Sequence, residues 1–384
     1  MKLTRALLTP CQVFICGLAQ TKPVTLKPSH PLNEGVTTNS ALVANLRGRR
    51  THPQPVWFMR QAGRSLPEYR ALRANSEMLE ACLDVDMVVE ITLQPVRRHN
   101  VDAAIFFSDI VVPFRLAGID VDIKAGIGPV IANPVRSAKQ LAGLQLVADG
   151  GFAPIERAVE RLVAELGATP LIAFGGAPFT LASYLIEGGP SRDFPNSRQM
   201  MREDPELWAG ILNWCADLSA QFITAQVQSG ASALQVFDSW AGRLTTTEYE
   251  QFAMPFTRRL FSQLDHLIDD EGELVPRLHF AVGSGQILER MLAVGATALG
   301  IDDQTSLADA NRQFDGKVPL QGNISPDVLT APWPEIEAHV LRVLEDGKDA
   351  PGHVVNLGHG VPKDTDPDVL TRIVALVHEV TSKQ

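Results

Sequence analysis

Four arginines, Arg60, Arg64, Arg70 and Arg73, fall within fourteen positions of a chain whose overall balance is acidic, with 34 Lys and Arg against 44 Asp and Glu and a formal net charge of -10. A local knot of guanidinium groups on such a chain points to an anion site, because the general field of the molecule would repel an anion elsewhere. Val56 to Met59 reads as a buried strand bounded by Pro55 and a glycine-containing turn. Ser65-Leu-Pro-Glu68 reads as a capping box with proline in the first helical turn. Arg60 and Arg64 then lie on a strand-to-helix loop. For Arg70 and Arg73 the competing expectation is a solvated basic helix face.

Other polar residues recur directly after short apolar runs. Ser108 and Asp109 follow Ala103 to Phe107, Asp238 and Ser239 follow Ala233 to Phe237, Asp302 and Asp303 follow Ala298 to Ile301, and His359 follows Val354 to Leu357. Gln321 and Asn323 end a run from Val318, and Leu171 to Phe174 leads into Gly175 to Pro178 with Tyr184 beyond. A carboxylate such as Asp109, beside arginines at the end of an apolar run, is costly unless used, so it is expected to act rather than merely cap a helix. Tyr184 and Ser239 stay open between site and turn, since hydroxyls at turns are common. His359, between two glycines, reads as a site residue, and His279, inside an alternating strand, as a core one. No lysine ends any run, so a Schiff-base mechanism lacks its nucleophile. No histidine pair has zinc spacing, whereas a magnesium site built from Asp109, Asp238 and Asp302 stays open.

These residues need a frame that brings run ends together. With Leu278 to Val282 the runs number eight, and they alternate with amphipathic segments that predict helices over 83–100, 154–166, 205–229, 247–269, 286–293, 307–314, 326–344 and 367–380. Ser306, Ser325 and Asp366 are expected N-caps, the last two followed by proline. Eight βα units predict an α/β protein with one domain, a (β/α)8 TIM barrel over 41–384, with its active site at the carboxyl ends of the strands. A doubly wound open sheet is the alternative, but no GxGxxG opens a helix after the first strand.

A hydrophobic content of 45% supports a large core, and a pI near 5.4 argues against nucleic acid or an anionic membrane as partner. Cys11, Cys16, Cys82 and Cys215 form no CxxC and lie close to no histidine, which suits a reducing compartment. Met1 to Ala19 has a basic start and a moderately apolar stretch, but Thr9 to Gln12 interrupts it, and residues 20–40 are rich in Pro, Thr, Ser and Asn. Residues 1–40 are therefore expected to be a poorly ordered extension rather than a secretion signal.

Taken together, Arg60-Gln-Ala-Gly-Arg64 with Leu66 to Glu68, Phe107-Ser-Asp109, Gly176 to Tyr184 with Glu187 to Gly189, Phe237-Asp-Ser239-Trp-Ala-Gly242, Leu320 to Asn323 and Asn356 to Gly360 resemble the uroporphyrinogen decarboxylase family over about residues 40 to 384. The resemblance implies a cytosolic, cofactor-free, metal-free homodimer that removes carboxyl groups from the four acetate arms of uroporphyrinogen III, giving coproporphyrinogen III in haem biosynthesis. It also implies that Asp109 and Arg60 are catalytic, and that Arg60, Gln61, Ala62, Gly63, Arg64, Asp109, Tyr184, Ser239 and His359 contact substrate. Two positions depart from the family pattern: Ser65 stands where an aromatic residue is common, and Asp303 where tryptophan is often found. Corrinoid-dependent methyltransferases share the barrel but need a His-x-Cys pair and another cysteine late in the chain, and here no cysteine follows Cys215. A non-catalytic tetrapyrrole-binding protein is the remaining rival, and it would have no use for Asp109.

Overall fold

Short apolar runs separated by helices give parallel pairing, since a crossover returns each strand in the same direction. The computed structural model describes residues 25–383. Its strands are β1 (Ala104–Ile105), β2 (Val121–Lys124), β3 (Gly128–Ile131), β4 (Leu171–Gly176), β5 (Ala233–Phe237), β6 (Arg277–Phe280), β7 (Ala298–Gly300), β8 (Leu320–Gln321) and β9 (His353–Val354). Seven of them form one parallel sheet in the order β1-β4-β5-β6-β7-β8-β9, and β2 and β3 pair as an antiparallel hairpin that the sequence reading missed. A doubly wound sheet would reverse its strand order at a switch point, and this order never reverses. The sheet curls. Gln235 of β5 and Gln321 of β8 are not on neighbouring strands, yet Gln321 Nε2 donates to Gln235 Oε1 at 2.9 Å, and Trp57 Nε1 donates to Gln321 Oε1 at 3.0 Å.

The run expected as the first strand, Val56 to Met59, is reduced to a single bridge between Val56 and Val355. The reason lies in where its amides donate. Val56 N–H goes to Asp102 Oδ2 (2.7 Å), Phe58 N–H to Gln61 Oε1 (3.0 Å) and Met59 N–H to Asn356 Oδ1 (2.9 Å), so side chains replace most of a ladder. Backbone bonds still reach both neighbours, from Trp57 N–H to Val355 O and from Asp102 N–H to Val56 O.

Several helices match the expected spans, among them Val85–His99, Ala153–Leu166, Pro205–Gln228 and Pro367–Thr381. Others split at prolines. The segment expected at 247–269 is Thr246–Phe252 followed by Met254–Gln263, with Pro255 in the first turn of the second, and the 326–344 segment is a 3-10 turn followed by Trp333–Asp346. Ser306 and Asp366 accept amide hydrogens as expected, while Ser325 makes no such cap. The boundary expected at residue 40 is corrected for the described part. Leu26, His30 and Leu32 are buried, His30 Nε2 lies 2.9 Å from Val227 O, and Thr37 pairs with Ser232 through their hydroxyls. The apolar stretch before Ala19 lies outside the described residues.

Candidate functional site

The arginine loop is fixed from below. Gln61, buried, accepts from Phe58 N–H and donates from Nε2 to Ala103 O at 3.1 Å, which ties the loop to the approach to β1. Ser65 does not cap. Leu66 occupies the N-cap of Pro67–Leu72, the Ser65 hydroxyl is buried without a partner, and Glu68 instead makes two bonds to Arg98, which holds its carboxyl below the usual range. Proline at the first helical position is enough to start this turn. Arg70 donates to the carbonyls of Arg64 and Ser65, and Arg73 to those of Ser76 and Glu77, so both brace the backbone.

Arg60 and Arg64 are exposed, and among the described residues their guanidinium groups make no hydrogen bond or ion pair. Arg60 has φ of 61°, a left-handed conformation that a residue with a Cβ adopts at a cost, of the kind stored at functional sites. The conformation lays its side chain across Gly360, where an added Cβ would stand 2.3 Å from Arg60 Cδ. Gly63 and the half-buried Ala62 complete the turn, and a Cβ at Gly63 would stand 2.9 Å from Arg60 O.

Asp109 follows β1, half-buried, with Oδ1 accepting from Val111 N–H at 3.0 Å. Burial pushes its carboxyl up, against the opposing pull of that amide and of Arg60. Tyr184, on the helix Pro178–Glu187, has its phenol pushed up to about 12 by burial and by the charge of Asp109, with Arg60 opposing. His359 is held below its ordinary value by desolvation and by Arg60, and its Nδ1 accepts from Gly360 N–H at 2.7 Å. Arg60 is thus the charge felt in common by Asp109, Tyr184 and His359. Ser239 lies in the turn after β5, and its neighbour Trp240 packs on Tyr184 with ring centroids 4.1 Å apart.

Of the remaining strand-end acids, Asp303 is exposed and accepts from the Ser325 hydroxyl at 3.2 Å, while Asp238 and Asp302 face inward. Asp238 is fully buried, with Oδ1 accepting from the Thr180 hydroxyl at 2.8 Å and Oδ2 lying 3.8 Å from His279 Nε2. Asp302, also buried, accepts from Gly283 N–H and the Thr305 hydroxyl, and Asn323 donates to the carbonyls of Asp302 and Thr305. Asp238 and Asp302 are thus bound to protein donors, and among the described residues no group of three His, Cys, Asp or Glu is placed to hold a metal ion. His279 is in the core, with Nδ1 3.1 Å from Met291 O. Thr180 and Trp240 were not singled out from sequence as site residues. Both lie inside motifs already noted, Trp240 directly after Ser239 and Thr180 within Gly176 to Tyr184, but nothing in the pattern flagged Thr180 as the partner of Asp238.

An α/β protein with a curled parallel sheet thus carries, beyond the carboxyl end of β1, a half-buried carboxylate in the field of the unpaired Arg60 guanidinium, an arrangement suited to an anionic ligand. The family model described as Uroporphyrinogen decarboxylase (URO-D) matches residues 37–380, and the chain belongs to that family of carboxy-lyases. It is 52% identical over 348 residues to the uroporphyrinogen decarboxylase of Arthrobacter sp. (strain FB24), covering 91% of this chain and 99% of that one. The counterpart from Leifsonia xyli subsp. xyli is 52% identical over 368 residues, covering 92% and 98%. A solved methyltransferase from Methanosarcina mazei superposes with a TM-score of 0.71 at 17% identity, covering 90% of this chain and 99% of that one, and speaks to the fold alone.

Proposed function

We propose that this chain decarboxylates the four acetate arms of uroporphyrinogen III to methyl groups, releasing coproporphyrinogen III and four molecules of carbon dioxide without a cofactor. The chemical difficulty is the electron pair left when the bond to the carboxylate breaks, because a methylene carbanion beside an electron-rich pyrrole has nowhere to delocalise. Protonating the pyrrole ring first supplies the sink. The C–C bond then breaks with its electrons flowing into the cationic ring, carbon dioxide leaves, a proton adds at the methylene carbon, and the ring gives up the proton it took. Each arm consumes one proton in net.

The observation that carries this reading is Asp109, a carboxylate kept desolvated beside Arg60 and Tyr184. Its negative charge would stabilise the cationic ring more than the neutral one, which is the differential binding that catalysis requires. Arg60, Arg64 and His359 would hold acetate and propionate carboxylates, with Tyr184 and Ser239 orienting them through hydroxyls. Gln61, Ala62 and Gly63 would contribute through the backbone of the loop, since the Gln61 side chain is already engaged. A guanidinium such as that of Arg60 is a very weak acid, so its charge rather than its proton is what it offers the substrate. On this reading segment 55–59 closes the curled sheet as the eighth member of a TIM barrel, and the enzyme works in the cytoplasm as a homodimer.

Product chromatography after incubation with uroporphyrinogen tests the activity. Asp109→Asn should fold and lose most turnover, and an unchanged rate in that variant would refute the assignment. Arg64→Ala should raise KM by about tenfold with a smaller effect on kcat, the loss of one charge-assisted carboxylate contact.

A further inference from the structure

Outside the turn that holds Arg60, a cleft opens between the arginine loop and the chain leading into the helix Pro367–Thr381, lined by Arg64, Ser65, Arg70, Lys363, Asp364 and Thr365. Three cations face one carboxylate there. Lys363 and Asp364 approach only to 4.0 Å and are both well exposed, so their charges compensate weakly. Arg70 has its Nη1 engaged with two carbonyls, and Arg64 is unpaired among the described residues. The second, independent observation concerns the two hydroxyls. Ser65 is 4% exposed and Thr365 3% exposed, and neither side-chain oxygen has a hydrogen-bond partner. A buried hydroxyl without a partner costs stability, so two on the walls of one cationic cleft call for an acceptor that enters from outside.

We propose that this cleft is an oxyanion-binding subsite, distinct from the pocket around Asp109, that takes a carboxylate or an inorganic phosphate between Lys363, Arg64 and the Ser65 and Thr365 hydroxyls. All four are donors, and an anion with several acceptor oxygens satisfies them together, which neither a neutral group nor a cation could do. Arg64, which the proposed function already assigns to a substrate carboxylate, is one of the cleft's walls. The subsite therefore deepens the proposed function, and its role in substrate capture rests on that reading: a carboxylate arm of an octacarboxylate would be held here while the ring enters the pocket. On a chain with a net charge of -10, such a local foothold offsets the general repulsion of a polyanion.

The test uses the full chain, inorganic phosphate as probe, and the variants Lys363→Gln, Thr365→Val and Ser65→Phe. Phosphate should raise the Tm of the wild type and broaden in its 31P spectrum on adding protein, and each variant should weaken that binding about tenfold or abolish it. Thr365→Val removes an unpartnered hydroxyl, so without phosphate its Tm should equal or exceed that of the wild type, which separates loss of a ligand from loss of the fold. The kinetic arm distinguishes the sources of the anion. If a substrate carboxylate uses the cleft, the variants raise KM severalfold with kcat unchanged in phosphate-free buffer, and phosphate inhibits the wild type competitively. If only free phosphate binds, KM stays put and the phosphate-induced Tm shift alone is lost. Wild-type protein that ignores phosphate at tens of millimolar, together with variants whose KM is unchanged, overturns the proposal and leaves the hydroxyls to bound water. The phosphate arm needs no turnover, so it stands even if the chain proves inactive on uroporphyrinogen.

Discussion

Asp109 is held in a condition that folding alone would not choose. Burial raises its carboxyl while Val111 N–H and Arg60 only partly compensate, so its ionised form is less comfortable in the native state than in the unfolded chain. A carboxyl whose native pKa is raised adds stability only at pH below its unfolded value near 4, and that stability is lost as pH rises through the native value. At neutral pH the charge is therefore a burden. Asp109→Asn keeps an acceptor for Val111 N–H and removes the charge, so Tm should be higher than that of the wild type at pH 7 and the difference should shrink toward pH 4. Thermal melts of the two proteins over that range check the sign, and a variant less stable at every pH would mean that the ionised carboxylate is held by partners after all. The sequence made this residue legible because a lone acid after an all-apolar run is conspicuous. It also set Arg60 and Arg64, on the loop, apart from Arg70 and Arg73, but it offered the last two a solvated helix face, and only the carbonyls facing them reveal them as braces.

Strand β8 is only two residues long, and at the centre of the curl Trp57, Gln321 and Gln235 of β5 form a chain of side-chain bonds. Gln321 was read from sequence as a strand-end site residue. It is instead an interior link, buried and engaged at both ends of its amide. Replacing it by leucine would strand Trp57 Nε1–H and Gln235 Oε1 in the interior, at a cost of about 1–3 kcal/mol for each unsatisfied group. Gln321→Leu should accordingly lower the urea midpoint by an amount equivalent to about 2–6 kcal/mol, with an unchanged m-value. Seven of the eight expected runs are strands, and the helices between them were visible because periodicity survives in a linear string. The hairpin of β2 and β3 was not, since Ile119 to Ile131 carries charges and glycines that blur any alternation. The broken helices were missed for a different reason: apolar spacing continues across Ala253-Met254-Pro255, and the proline alone marks the break.

At the scale of the molecule, one side chain ties segment 55–59 to the first strand of the sheet and to the C-terminal helix. Asp102, just before β1, accepts from Val56 N–H at 2.7 Å and from His378 Nε2 at 2.8 Å through the same Oδ2, while its own amide donates to Val56 O. It therefore pins segment 55–59 against β1 on one side and the C-terminal helix Pro367–Thr381 behind them, with Val355 on the far side of the segment. None of this was legible in the sequence, where residues 25–40 read as an extension and nothing singles out Asp102, because such ties are single contacts between distant positions and leave no period. Asp102→Ala removes a charged acceptor shared by two donors, each such bond being worth about 1.5–3 kcal/mol. If the sheet closes through segment 55–59, the loss should appear first at the seam. Amides of Trp57, Val355 and Val361 should exchange hydrogen faster in the variant while those of β4, β5 and β6 keep their protection, as expected of a local opening below the global unfolding free energy. Arg60 stands at the end of that segment, so KM for uroporphyrinogen should rise in the same variant although Asp102 lies far along the segment from the pocket. Equal loosening of all seven strands, with KM unchanged, would instead mean that the sheet holds together as an open curl and that segment 55–59 merely leans on its edges.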